Sequence, residues 1–89
     1  MNIENLKIGD KIKIEDNTYD IISIQNEATV EEDGSNELFV AIYLHELGNK
    51  SLKPTHMLAN YIDKGKIYLV SLLGDKDELE INLDSIELA

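Results

Sequence analysis

The stretch Ile8-Gly9-Asp10-Lys11-Ile12-Lys13-Ile14-Glu15-Asp16-Asn17-Thr18-Tyr19-Asp20-Ile21-Ile22-Ser23-Ile24-Gln25 decides the fold class. After Gly9-Asp10, lysine and isoleucine alternate strictly, and Ile8, Ile12 and Ile14 share one parity. In an extended chain equal parity means one face, so a strand is predicted with these three isoleucines directed into a core. Glu15-Asp16-Asn17-Thr18 supplies a turn, because Asp and Asn accept left-handed backbone angles at small cost. Residues 19–25 follow with Tyr19, Ile21, Ile22 and Ile24, which suit a pleated, half-buried surface. The prediction is a β-hairpin.

Downstream, residues 26–37 are polar and acidic around Glu31-Glu32-Asp33-Gly34-Ser35-Asn36, which predicts an exposed loop. Residues 38–45 read as a strand with Leu38, Val40, Ile42 and Leu44 on one face and Phe39, Ala41, Tyr43 and His45 on the other. A strand apolar on both sides is expected to be central and covered twice. A second copy of the chain, pairing through an edge, is the other way to cover it, so a homodimer stays open. Leu47-Gly48-Asn49-Lys50 breaks the strand.

Residues 54–63 admit two readings. Met57, Leu58, Tyr61 and Ile62 fit helical spacing, with Pro54 suited to a first turn and Gly65 to a helix end, and this short helix is slightly favoured. On the other reading, Asp63-Lys64-Gly65 joins a strand ending at Ile62 to one starting at Lys66. Residues 66–73 form a strand either way. In the last segment Leu79, Ile81 and Leu83 share one parity, whereas Ile86 and Leu88 share the opposite one. One tight 3₁₀-like turn near Asp84-Ser85 would restore the phase and keep both sets inside.

The chain has 89 residues, which makes one small domain over residues 1–89. Zero cysteines exclude a disulfide framework, thiolate metal sites and thiol catalysis. Eighteen acids against eight bases, all of them lysine, give a net charge of −10, spread through the chain rather than held in a tail. Such a charge repels phosphate polymers and anionic lipid and favours a basic protein partner. The start of the chain is acidic, with no apolar run behind it. The longest wholly apolar stretch, residues 38–44, falls far short of the ~20 residues of a spanning helix. A soluble, cytoplasmic protein is expected, with no membrane contact.

The two ends of the chain resemble small SH3-like β-barrels. Leu6-Lys7-Ile8-Gly9-Asp10-Lys11-Ile12-Lys13-Ile14 is similar to the Gly-Asp-x-Val-x-Val opening of many such domains. Ile81-Asn82-Leu83-Asp84-Ser85-Ile86-Glu87-Leu88 is similar to their strand, single turn, strand ending. The resemblance implies a mainly β fold, a partly open barrel of about 5–6 antiparallel strands. It covers roughly a quarter of the chain and brings no functional residue with it.

The residues that could carry chemistry are few. His45 and His56, eleven positions apart, match no standard metal-ligand spacing even with Glu46 added. The run Asp75-Lys76-Asp77-Glu78-Leu79-Glu80 is rich in oxygen ligands but lacks the pattern of a calcium loop, so a solvated turn is expected. Ser23, Ser35, Ser51, Ser71 and Ser85 sit in no nucleophile motif, and no glycine-rich phosphate cradle is present. Lys7, Lys11 and Lys13 with Phe39 and Tyr43 would suit a nucleic-acid-binding barrel, but the net charge opposes it. The expectation is a non-enzymatic protein–protein interaction module, an accessory or regulatory subunit without metal or cofactor. Its contact face would use Phe39, Tyr43 and His45, with Glu31, Glu32, Asp33, Asp75, Asp77, Glu78 and Glu80 steering a basic partner. The alternative is a nucleic-acid mimic that occupies the basic groove of a DNA- or RNA-handling enzyme.

Overall fold

The structure is a computed structural model that describes residues 3–74 and 77–89. Seven strands pair antiparallel: β1 (Lys11–Ile14), β2 (Asn17–Val30), β3 (Asn36–Glu46), β4 (His56–Tyr61), β5 (Lys66–Ser71), β6 (Glu78–Ile81) and β7 (Ile86–Leu88). Their order across the sheet is β6-β5-β4-β3-β2-β1-β7, and the sheet curls into a half-barrel. The mainly β class, the opening hairpin and the central placement of residues 38–45 are as expected, but the described residues form one sheet, so that strand is not covered a second time on its outer face. Among the described residues no helix is long and apolar enough to cross a membrane.

Residues 54–63 differ from the favoured expectation: they form no α-helix. Residues 56–61 are β4, followed by a single 3₁₀ turn at Ile62–Lys64 that closes on Gly65 with φ 64°. Helical spacing had grouped Met57, Leu58, Tyr61 and Ile62, but pairing with strands on both sides settles the segment as β. Its backbone bonds to β3 and β5 at once, and each pairing satisfies donors that a lone two-turn helix would leave at its ends. The strand count rises to seven accordingly. The predicted loop over residues 26–37 also shrinks, to residues 31–35, because β2 and β3 continue their ladder out to Val30 and Asn36. Their far ends form a two-stranded arm beyond the body of the sheet, where Val30 and Leu38 are exposed.

The isoleucine row needs one correction. Ile12 and Ile14 are fully buried, but Ile8 is 65 % exposed. Ile8 lies in a turn in which Asp10 N–H donates to the Lys7 carbonyl and the Lys7 N–H donates to Asp10 Oδ2. Parity holds only for extended backbone, so the turn cancels it, and Leu6 enters the core in place of Ile8. The hairpin turn itself places Glu15, rather than Asp16 or Asn17, at positive φ (56°).

Two phase shifts keep the core continuous. In β2 the partner of Ile21 is Leu44 and that of Ser23 is Tyr43, so Ile22 is the extra residue of a β-bulge. Ile21 and Ile24 therefore both face inward despite their odd spacing, and the bulge adds bend to the longest strand. At the end of the chain the 3₁₀ turn Leu83–Ser85 performs the same correction, leaving Ile81 and Ile86 in one core with Ile12, Ile14, Tyr19, Ile21, Ile42, Leu44, Leu58 and Ile67. This is the turn that the opposed parities of Ile81 and Ile86 required, although Leu79 and Leu88, expected inside with them, are exposed at the ends of these short strands.

The burial difference is directly measurable. Ile12→Ala removes fully buried methylenes and is expected to lower stability by about 2–5 kcal/mol, whereas Ile8→Ala should stay within about 0.5 kcal/mol of wild type. Urea unfolding of the two variants checks this, and equal losses would place Ile8 in the core.

Candidate functional site

The residue pairings sort side chains onto the two faces of the curled sheet. Inward, β3, β4 and β5 contribute Ile42, Leu44, Leu58 and Ile67. Outward, the same strands carry Phe39, Ala41 and Tyr43; Met57, Ala59 and Tyr61; and Tyr68 and Val70. Glu27 of β2 and Glu78 and Glu80 of β6 stand on this outer face as well. Ala41 and Ala59 are buried although they stand on the outside, which means that their larger neighbours fold over them. The outer face of the central strands is thus an aromatic layer with carboxylates at its borders.

The rings are arranged in a row. Phe39 and Tyr61 lie 4.9 Å apart, centroid to centroid, with planes tilted by 31°. Tyr61 and Tyr68 follow at 5.7 Å and 84°, edge to face. Both geometries suit the ring quadrupole. Beside the row, Tyr43 donates its hydroxyl to Glu27 Oε1 at 3.4 Å. Burial, and next the nearby Glu27 carboxylate, push the Tyr43 phenol above its ordinary value. For Tyr61 burial again leads, followed by the carboxylates of Glu37 and Glu78. These phenols stay protonated, so the face offers ring surfaces, hydroxyl donors and carboxylate acceptors.

Around Tyr61, Tyr68, Met57, Ala59 and Val70 the surface dips into a shallow cavity of about 180 Å³, bordered by Glu37, Glu78 and Lys64. Lys64 reaches in from the 3₁₀ turn after β4, with its Nζ 2.7 Å from Glu37 Oε1. Glu37 beside it, with a weaker contribution from Glu31, raises the Lys64 ammonium above the usual lysine range.

The residues expected from sequence are partly brought together. Phe39 and Tyr43 share the aromatic face, as alternation implied, and Glu78 and Glu80 border it from β6. His45 has the same parity but is engaged elsewhere: its Nε2 lies 2.7 Å from the Ser51 carbonyl, tying down the segment between β3 and β4. Glu31 and Glu32 occupy the tip of the β2–β3 arm and are exposed. Asp33 serves that turn, where its Oδ1 accepts from the Ser35 N–H and hydroxyl. Those two bonds, the hydroxyl first, hold its carboxyl below the usual range. Asp77 contributes its carbonyl to the Ser71 N–H, and Asp75 lies outside the described residues. Of the lysines considered for nucleic acid, Lys11 is paired with Asp20.

Tyr61, Tyr68, Met57, Glu37 and Lys64 were missed. Tyr61 and Met57 stood in the segment given helical spacing, and their place beside Phe39 depends on the β3–β4 register. No pattern within one strand encodes that register.

The two histidines lie on opposite faces, because Leu44 pairs with His56 and His45 is its neighbour. Among the described residues no group of three or more His, Cys, Asp or Glu side chains converges as a metal site would require. His56 packs edge-on against buried Tyr19 at 5.0 Å, and its Nδ1 is 2.9 Å from Thr55 Oγ1. No family model matches the chain, and no curated protein or solved structure matches it.

Burial lowers the His56 proton affinity below the ordinary 6.5, partly offset by Glu46. The folded state then favours neutral imidazole, while the unfolded chain takes up a proton as pH falls past about 6.5. This contribution to stability is full above that pH and is lost as pH falls through the lower folded-state value. The urea midpoint is expected to drop between pH 7.5 and 5.5, and to drop less in His56→Gln. An identical drop in both proteins would remove His56 as the cause.

Proposed function

We propose that this protein is a non-catalytic interaction module, an accessory or regulatory subunit whose outer β3–β4–β5 face docks a basic segment of a partner protein. The observation that carries the reading is the row Phe39–Tyr61–Tyr68 on the outside of the sheet, set among Glu27, Glu37 and Glu78. A β-sheet face turned to water normally alternates to polar residues. Here it carries four aromatic rings and a methionine, residue types enriched at protein interfaces. The carboxylates around them, on a chain of net charge −10, select a partner of opposite sign.

The half-barrel is read as SH3-like. Support comes from the strand, 3₁₀ turn, strand ending and from the return of β7 to pair with β1, which together join the two ends of the chain. The nucleic-acid mimic draws less support. Carboxylates stand at Glu15 and Asp16 in the first hairpin turn, at the arm tip, at Asp63, and at Asp84 and Glu87 near the end, rather than in one phosphate-like line.

The test compares wild type with two variants in affinity capture from native lysate at low and high salt. One variant is Tyr68→Ala, and the other combines Glu31→Gln, Glu78→Gln and Glu80→Gln. A protein retained by wild type should be lost from Tyr68→Ala. With the purified partner, the charge variant should associate about tenfold more slowly at low salt and show a flatter salt dependence. Retention of the same proteins by all three forms would overturn the proposed face.

A further inference from the structure

The Lys64 ammonium occupies a position built for a cation. Its Nζ lies 2.7 Å from Glu37 Oε1 and 5.9 Å from the centre of the Tyr61 ring. Glu37 Oε1 is sealed from solvent, and among the described residues the Lys64 ammonium is its one cationic partner. Tyr61 and Tyr68 stand nearly perpendicular, and Glu78 lines the same cavity. The Tyr61 ring under the Lys64 ammonium and the carboxylates of Glu37 and Glu78 beside it suit an alkylammonium group, because a ring face and a carboxylate both carry negative potential. Ala59 at the floor leaves depth that a larger residue would fill. The Lys64 side chain is itself more than half exposed, on a turn at the edge of the cavity, so it can swing out without disturbing the core.

We infer that this cavity is a lysine-reading pocket, which takes the primary ammonium of a lysine from the docked partner, and that Lys64 is an internal occupant which the partner's lysine displaces. The inference rests on the interaction-module reading for the source of the lysine, but the pocket's preference for a cation can be tested apart from it. Among the described residues Lys64 is the one lysine that lines the cavity with Glu37 and Glu78, so exchanging it for a partner's lysine preserves the charge there. Lys64 acts as a tethered competitor, and a tethered group works at an effective concentration of about millimolar, which weakens every external lysine by that competition.

The probe is a glycine-flanked single-lysine peptide, titrated while the ring resonances of Tyr61 and Tyr68 are followed by NMR. Matched peptides carry arginine or glutamate instead. Lys64→Met, which keeps the apolar stem and removes the charge, is expected to bind the lysine peptide about tenfold more tightly than wild type. Adding Glu37→Gln should abolish the gain, and Lys64→Met with Tyr68→Leu provides a second test if the first double variant does not fold. The glutamate peptide should leave the rings unmoved. Three results would overturn the pocket: equal binding by wild type and Lys64→Met, binding that ignores both Glu37 and Tyr68, or a preference for arginine. If Lys64→Met loses stability without gaining any affinity, the contact is a structural tie and the inference fails. Partner capture that persists without lysine-peptide binding strikes this pocket alone. Lysine-peptide binding without partner capture strikes the interaction reading alone.

Discussion

The shape of the molecule depends on one short piece of chain. β6 and β7 lie at opposite edges of a seven-stranded sheet, yet only Asn82 and the turn Leu83–Ser85 separate them in sequence. Strands stand about 4.8 Å apart, so the edges of a flat sheet of this order would be about 29 Å from each other. The link between Ile81 and Ile86 can span at most about 18 Å even when fully extended. The sheet has to curl, and the curl points the side chains of both edges into one core. Ile81 and Ile86 meet there, and the bulge at Ile22 supplies extra bend in β2.

Curling has a consequence on the convex side. A single sheet wrapped around its own core has no second layer to cover its outer face. The central strands β3 and β4 are too short of charged residues to make that face ordinary: β3 offers Phe39, Ala41 and Tyr43 outward, and β4 offers Met57, Ala59 and Tyr61. The rings close over the alanines and over each other, which shields part of the surface but leaves an aromatic layer at the exterior. The carboxylates around it keep the layer wet at its margins and give it a sign. Lys64 meets that sign locally by pairing with Glu37.

The same arrangement explains why the acidic segments matter differently. Glu78 and Glu80 face the aromatic layer because alternation in β6 aligns them with Val70 and Tyr68. Glu31 lies exposed at the tip of the arm and adds only the last of the contributions that hold the Lys64 ammonium above the usual lysine range. Asp33 is used up by its own turn, accepting two bonds from Ser35. Carboxylates indistinguishable in composition thus stand in three settings: beside the aromatic layer, at the arm tip and inside a turn.

The opening hairpin, the central strand and the phase shift before Ile86 were all legible from residue order, because alternation along one strand is a local property of extended backbone. So was the shared face of Phe39 and Tyr43. The place of Ile8 was not, since a turn sustained by Asp10 suspends the parity rule for that one residue. Nor was the strand at residues 56–61, whose apolar spacing fits helix and sheet alike until neighbours on both sides supply hydrogen-bond partners. By itself the sequence determined a β-rich, acidic, cysteine-free chain whose isoleucines and leucines form the inside. Only the tertiary structure decided that Phe39, Tyr61 and Tyr68 stand in a row with Glu37 and Lys64 beside them. That juxtaposition is set by the register between strands, which arises from pairings across the sheet and is written in no single stretch of the chain.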